Sequence, residues 1–486
     1  MANPSLDSDA HKRPSFDIET PTTGASLTSF SQRLTQPATE TSSFTHRLTV
    51  AADSFTATPD ETCISEKEQR LGLSLSETIA NFVVYLVGAG ILILPKVMAD
   101  VGFITASALM AITFMTTYES GMMLIACCKK VESVTESQPG EACSGSVSTY
   151  EALAGHVLGV AGKTAITITK NCYLLGLLVV FILFVIDGVG QWVKSLNLAD
   201  QIIRWAIVAP LFVLFGMIRD LKQIKRFAII GVCAAFLQCG LLALGAIVSM
   251  FEPDFVFPHR DMIKGSVLDI GAATATCLFG CGSVVCTVPS VRMQMARPDG
   301  ISTALRTALM IVLLIYLCVM TLCYFAFGPD LAGNALDSIT NGCQQTRCVV
   351  GAAGATVMTI NLCISSPSVA FFVISAFEAS GTKHVCITMS LQNMIFRVCL
   401  VLILVVLGMV LPHPNEVIGL LSASFGGCNC LVFPIMLYYA SKMKCSQFGN
   451  HWSRDLVIHT GVLIVAVVAM VFGIIGATGK LVDKLS

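Results

Sequence analysis

The stretch VGAGILILP, residues 87–95, lies inside a long apolar run yet places Gly88, Gly90 and Pro95 where an unbroken helix would be most stable. Two readings follow from those residue types. Small residues in a membrane helix let a neighbouring helix approach closely. Alternatively the helix unwinds near Gly88–Gly90, which leaves backbone N–H and C=O groups free at mid-membrane depth and is tolerable only where they line a protected cavity. A second stretch bears on the choice. LFGCGSVVCTVP, residues 278–289, puts Gly280, Gly282 and Pro289 in a later apolar run. Paired interruptions at corresponding places in two halves point to a transporter of inverted repeats, with its ligand held between two broken helices.

The runs themselves identify the medium. The chain is 54% hydrophobic and only 13% charged, against about 25% charged in soluble domains. Apolar segments of roughly 20 residues, enough to cross a hydrocarbon core, recur from residue 77 onward. About eleven spans are expected, near 78–98, 103–127, 164–190, 202–218, 227–250, 266–290, 303–327, 349–377, 389–411, 417–440 and 456–477. All should be helices, since an open strand edge in lipid leaves backbone groups unpaired. Residues 131–149 are rich in Gly, Ser and charge and read as a cytoplasmic loop.

Residues 1–75 are rich in Ser, Thr, Asp and Pro and read as a disordered tail, followed by a membrane domain over 76–480. The tail has no basic segment followed by an apolar core, so no signal peptide is expected there. Most Lys and Arg, among them Lys129, Lys130, Lys222, Lys225 and Arg226, fall in loops on the tail's side, which predicts a cytoplasmic amino terminus. With an odd number of spans the carboxy terminus lies on the other side.

The net charge of -1 and the lack of a basic patch argue against nucleic acid as a partner. Most of the 20 cysteines sit singly in apolar runs, where Cys acts as a small hydrophobe, and none shows zinc spacing, so no metal is expected. Cys343 and Cys348 flank a polar loop, and whether they bridge depends on the compartment it faces. No HExxH, GxSxG or P-loop supports an enzyme.

Four stretches resemble the amino acid/auxin permease family of the amino acid–polyamine–organocation superfamily. They are Asn81 with GAGILILP; TYEALAGHVLG at 149–159 with Asn171, Gly176 and Asp187–Gly188; ARPDG at 296–300 leading through IYLCVMTLCYFAFG at 315–328; and VLPHPNEVIGLLSASFGGCNCLVFPIMLYY at 410–439. The resemblance implies an all-α membrane protein of about eleven transmembrane helices, a five-plus-five inverted repeat of the leucine-transporter kind plus one extra helix. It also implies coupled movement of amino acids. Val84 stands where sodium-coupled relatives carry Asn, which favours a proton over sodium as the coupling ion.

On this basis the backbone at Gly88, Ala89, Gly90 and Ile91 is expected to hold the substrate carboxylate, because helix amino termini offer free N–H groups and positive potential. Gly280, Gly282 and Ser283 are the matching residues of the other half, and Asn171 and Tyr173 lie beside them on span three. Lys170 is either a charge within the site or a side chain that snorkels to the interface. Ser365 and Ser366 either support a coupling cation or accompany a kink at Pro367. Intramembrane carboxylates are costly, so Glu119 and Asp187 are candidates for a coupling proton, with a salt bridge or helix cap as the alternative for Glu119 and simple exposure for Asp187.

The expected activity is secondary transport of neutral amino acids with protons, at the plasma membrane or a vacuolar or lysosomal-type membrane. The alternatives are sodium coupling and an amino acid-sensing receptor with little flux. No cofactor is expected; the partners are an amino acid substrate and the lipid bilayer, with the oligomeric state open.

Overall fold

The computed structural model describes residues 72–136, 149–195, 201–217, 221–253, 255, 257–341, 345–381, 391–410, 414–444 and 452–485. These are helical almost throughout, and the tail up to residue 71 lies outside them. The chain enters the bundle through α1 (Leu75–Leu86), whose first turn is a capping box: Ser74 Oγ accepts from Glu77 N–H and the Glu77 carboxylate accepts from Ser74 N–H. α2 (Gly90–Val101) follows at a bend of 57°. Then come α3 (Phe103–Glu136), α4 (Tyr150–Ser195), α5 (Gln201–Gly216) and α6 (Leu221–Met250).

The second half opens in the same way. α7 (Val267–Gly282) starts with a Ser266–Asp269 capping box. A 3-10 segment, Ser283–Thr287, leads to α8 (Val288–Gln294), then α9 (Ile301–Phe327), a short α10 (Ala335–Thr340), α11 (Gln345–Gly381) and α12 (Leu391–Val410). α13 (Pro414–Leu421) passes through two π-helical segments, Ser422–Gly426 and Cys428–Val432, into α14 (Phe433–Lys444), and α15 (Trp452–Leu485) ends the bundle.

Among the described residues eight helices are long and apolar enough to cross a membrane. The bent pair α1–α2 makes a ninth, and two shorter apolar helices lie at Trp205–Gly216 and Met394–Gly408, so each of the eleven expected runs has its helical counterpart. Burial sorts them into centre and rim. In the most apolar stretches of α4 and of the α7–α8 segment, 78% of residues are buried, against 33% in α15. A helix hydrophobic all round belongs in the core, and α2 obeys this: Ile91, Leu92, Ile93, Leu94 and Met98 are each at most 2% exposed. The rim helices turn Met115, Leu214, Leu314, Ile403 and Ile464 outward, as lipid contact requires.

One expectation needs correction. The polar run after residue 130 does not begin a loop: α3 continues to Glu136, and Glu132 accepts a forked hydrogen bond from the Arg292 guanidinium. A helix can project beyond the bilayer where its polar side chains find partners. The segment 149–159 is itself helical, set off from the rest of α4 by Gly159 at φ 74°, a conformation that favours glycine.

Candidate functional site

The first interruption is a true break. Val87 leaves helical geometry (φ -81°, ψ 68°), Gly88 N–H turns back to Leu86 O at 2.9 Å, and α2 begins at Ala89 without a side-chain cap. The first amides of α2 therefore sit uncapped in the protein interior, with Ala89 2% and Ile91 1% exposed. The carbonyls that the break frees are taken by distant side chains. Tyr316 Oη donates to Leu86 O at 2.6 Å. Asn361 Nδ2 donates to Gln238 Oε1 at 2.9 Å and reaches Val87 O at 3.4 Å. Tyr316, Asn361 and Gln238 are all fully buried.

The second interruption is not unwound, contrary to the sequence expectation. Gly282, Ser283, Thr287 and Val288 all keep right-handed helical angles, so the chain only tightens into a 3-10 segment. Pro289 falls in the first turn of α8, where its missing N–H costs little. Cys430 Sγ donates to Gly282 O at 2.7 Å and Thr117 Oγ1 lies 3.2 Å from Cys281 Sγ, so this stretch faces the π-helical segment and α3.

The two interruptions touch. A Cβ added at Gly90 would lie 3.1 Å from Gly280 Cα and 3.3 Å from Tyr316 Oη, so the chains cross through bare backbone. Gly90 therefore faces the partner helix, and packing explains its lack of a side chain. Gly88 differs: an added Cβ would meet only Phe181, at 3.8 Å.

The remaining predicted residues separate into groups. Tyr173 is buried, with its ring against Gly426 of the π-helical segment, and Asn171 is buried with an Oδ1 that has no hydrogen-bond partner among the described residues. Gly280, Gly282 and Ser283 are buried on the second segment. Ser366 donates to Leu362 O of its own helix at 2.6 Å. Ser365 Oγ is buried with no hydrogen-bond partner among the described residues. Asp187 is exposed and Glu119 half-buried. Lys170 pairs with Glu151, each side chain 14% exposed.

The ends of the bundle are unlike. At the end where α1 begins, Leu73 N–H donates to Gln294 O at 2.7 Å and Ala296 N–H to Leu73 O at 3.0 Å, a parallel bridge that straps the start of α1 to the end of α8. The Arg292–Glu132 pair lies beside it. At the other end a cavity of about 420 Å³ opens between α2, α7, α13 and α15, lined by Lys96, Asp100, Thr276, Asn415 and Glu416 among others.

Sequence comparison meets this geometry at residues 72–478, which match the family described as transmembrane amino acid transporter protein. The chain belongs to that family. Amino acid transporter AVT1E of Arabidopsis thaliana is 22% identical over 452 residues, 90% of this chain and 78% of the relative. Amino acid transporter ANT1 of the same plant is 24% identical over 279 residues, 56% of this chain and 60% of the relative. The crystal structure of MhsT in complex with L-phenylalanine covers 82% of this chain and 98% of MhsT with a TM-score of 0.51 at 12% identity. This family member thus has the all-α leucine-transporter-like fold that the family resemblance implied.

Sequence reasoning missed Tyr316, Gln238, Asn361, Cys430 and the charged cavity. The amides carried a usable signal. An Asn in TVMTINLC and a Gln in AAFLQCG are polar side chains at membrane depth, which are costly there unless they serve a purpose.

Proposed function

We propose that this chain is a secondary transporter that carries neutral amino acids with protons by alternating access. The observation that carries the proposal is the uncapped, buried amino terminus of α2 at the crossing of Gly90 and Gly280. In this reading the amides of Ala89, Gly90 and Ile91 take the substrate carboxylate, and the Val87 carbonyl, at the end of α1, takes its ammonium group. Tyr173, Asn171 and the Gly280–Ser283 stretch supply the wall around the side chain. The printed names of the two plant relatives, both amino acid transporters, support this substrate class.

The two ends support alternating access. The strap at Leu73–Met295 closes one side while a cavity stands open on the other. Movement of substrate through the bundle requires that strap to part and the cavity to collapse. Cys348, at the start of α11, is disulfide-bonded with a partner outside the described residues, and disulfides persist in oxidising compartments. That end accordingly faces the exterior or an organelle lumen, and the amino-terminal tail the cytosol.

Uptake of radiolabelled neutral amino acids into proteoliposomes tests the proposal. Saturable accumulation driven by an imposed pH gradient is the expected result. Binding without flux identifies a receptor, and accumulation that only a sodium gradient drives replaces the proton with sodium.

A further inference from the structure

Two thiols meet where the second interruption faces the π-helical stretch. Cys286 stands on the 3-10 segment and Cys430 on the second π-helical segment, 5% and 0% exposed. The Cys430 proton goes to Gly282 O at 2.7 Å, and its sulfur is hydrogen-bonded to the Cys286 thiol. The surroundings are not purely apolar. Tyr85 of α1 and Tyr150 and Tyr173 of α4 are each electrostatically coupled to both sulfurs. Tyr150 Oη also donates to Asn429 O, one residue before Cys430, at 3.0 Å.

A disulfide needs its sulfurs to close to about 2.05 Å, and thiols already in contact are well placed to do so. The place of this pair gives such a bond a mechanical consequence. α8 begins two residues after Cys286, and Met295 of the strap follows directly on α8. A bond from Cys286 to Cys430 would fix the root of α8 to the π-helical stretch, so the strap at its far end could not swing away from Leu73. It would also consume the proton that Cys430 gives to Gly282 O.

We propose that Cys286 and Cys430 are a redox-sensitive pair, which a peroxide oxidises to a disulfide that stops transport until a thiol reductant opens it. The Cys286 sulfur, the slightly more open of the two, attacks one oxygen of hydrogen peroxide and breaks the O–O bond. Its proton goes to the departing oxygen, which leaves as water, and the sulfur becomes a sulfenic acid. The Cys430 sulfur then displaces the sulfenic hydroxyl, which leaves as a second water with the Cys430 proton. Two thiols thus lose two protons and two electrons, and the peroxide takes up both. Hydrogen peroxide is small and uncharged, and it reaches the pair along the path that the parted strap opens. Formation of the bond is independent of the cargo; its effect on flux rests on the reading of the chain as an alternating-access transporter.

The test uses the purified full-length protein in proteoliposomes, treated with hydrogen peroxide, alkylated in denaturant with N-ethylmaleimide and digested for mass spectrometry. The wild type should yield a peptide pair joined through Cys286 and Cys430 that dithiothreitol separates. Uptake of radiolabelled L-alanine and L-leucine should fall roughly tenfold as the bond forms and return with dithiothreitol. Cys286→Ser and Cys430→Ser keep a hydrogen-bond donor at each position and should take up both amino acids in peroxide as they do without it. Cys428→Ser should stay as sensitive as the wild type. No joined pair in the wild type, or equal inhibition of the wild type and Cys286→Ser, overturns the proposal, as does a joined pair that leaves uptake unchanged. A protein that forms the joined pair but takes up neither amino acid before oxidation sinks the transporter reading and leaves the redox pair standing.

Discussion

At Leu86–Gly90 the backbone leaves the helix and turns through 57°, whereas at Gly280–Thr287 the chain tightens without losing its helical course. Each stretch has two glycines one residue apart and a proline downstream. The difference lies in the surroundings. Around the first, Tyr316 and Asn361 offer hydroxyl and amide donors to the freed Leu86 and Val87 carbonyls. Around the second, the donors that other elements bring are the Cys430 thiol on Gly282 O, a weak donor, and the Tyr316 hydroxyl at a long 3.5 Å from Gly280 O. Glycine lowers the cost of leaving the helix, but a peptide group stays open in lipid only where another element satisfies it. Pro95 reinforces the point from the opposite direction. It lies inside α2 and does not end it.

Substitutions can break this contrast in order of severity. Gly90→Leu should have the largest effect, because the added Cβ meets Gly280 backbone at 3.1 Å and the rest of the side chain has nowhere to go. Overpacking of this kind costs about 3 kcal/mol or more. Uptake should vanish along with a monodisperse peak in gel filtration, while Gly88→Ala, whose nearest neighbour is Phe181, should stay folded. Loss of uptake by a stable Gly90→Leu protein would instead place that side chain in the substrate's path.

Tyr316→Phe comes next. It leaves the buried Leu86 carbonyl with the Gly88 N–H alone, at a cost of about 1–2 kcal/mol, read as a lowered melting temperature and reduced substrate affinity. Asn361→Leu should follow at about 1–2 kcal/mol, since its amide bonds Gln238 well and Val87 only at 3.4 Å. If the two donors hold one break, the double variant Tyr316→Phe/Asn361→Leu should lose less than the sum of its parts, measured by a thermal-unfolding cycle. The smallest effect belongs to the second interruption. Cys430→Ala should cost under about 1 kcal/mol, because the 3-10 segment keeps its own hydrogen bonds. A larger loss there would mean that the segment also opens in the transport cycle.

Much of this architecture was written locally. Eleven apolar runs of spanning length follow from composition, and each has its helix. Capping boxes at Ser74–Glu77 and Ser266–Asp269 mark where the first helices of the two halves start. The first break was legible from Gly88 and Gly90 because no partner helix is needed to see that such a run is weak. The second was over-read, since the same pattern leaves open whether the weakness is used. The apolar flanks of α3 gave no sign that Glu132 would meet Arg292, which drew the helix beyond its expected end.

The sequence by itself determined the membrane setting, the number of apolar runs, the family and the place where the chain can leave the helix. Tertiary structure decided which interruption opened, that Gly90 meets Gly280, and that Lys96, Asp100 and Glu416 line one cavity. The physical reason is reach. Helical weakness depends on residues within a turn or two, but the donors that make an open peptide bond tolerable stand 230 and 274 residues away along the chain. Only folding brings them within hydrogen-bonding distance.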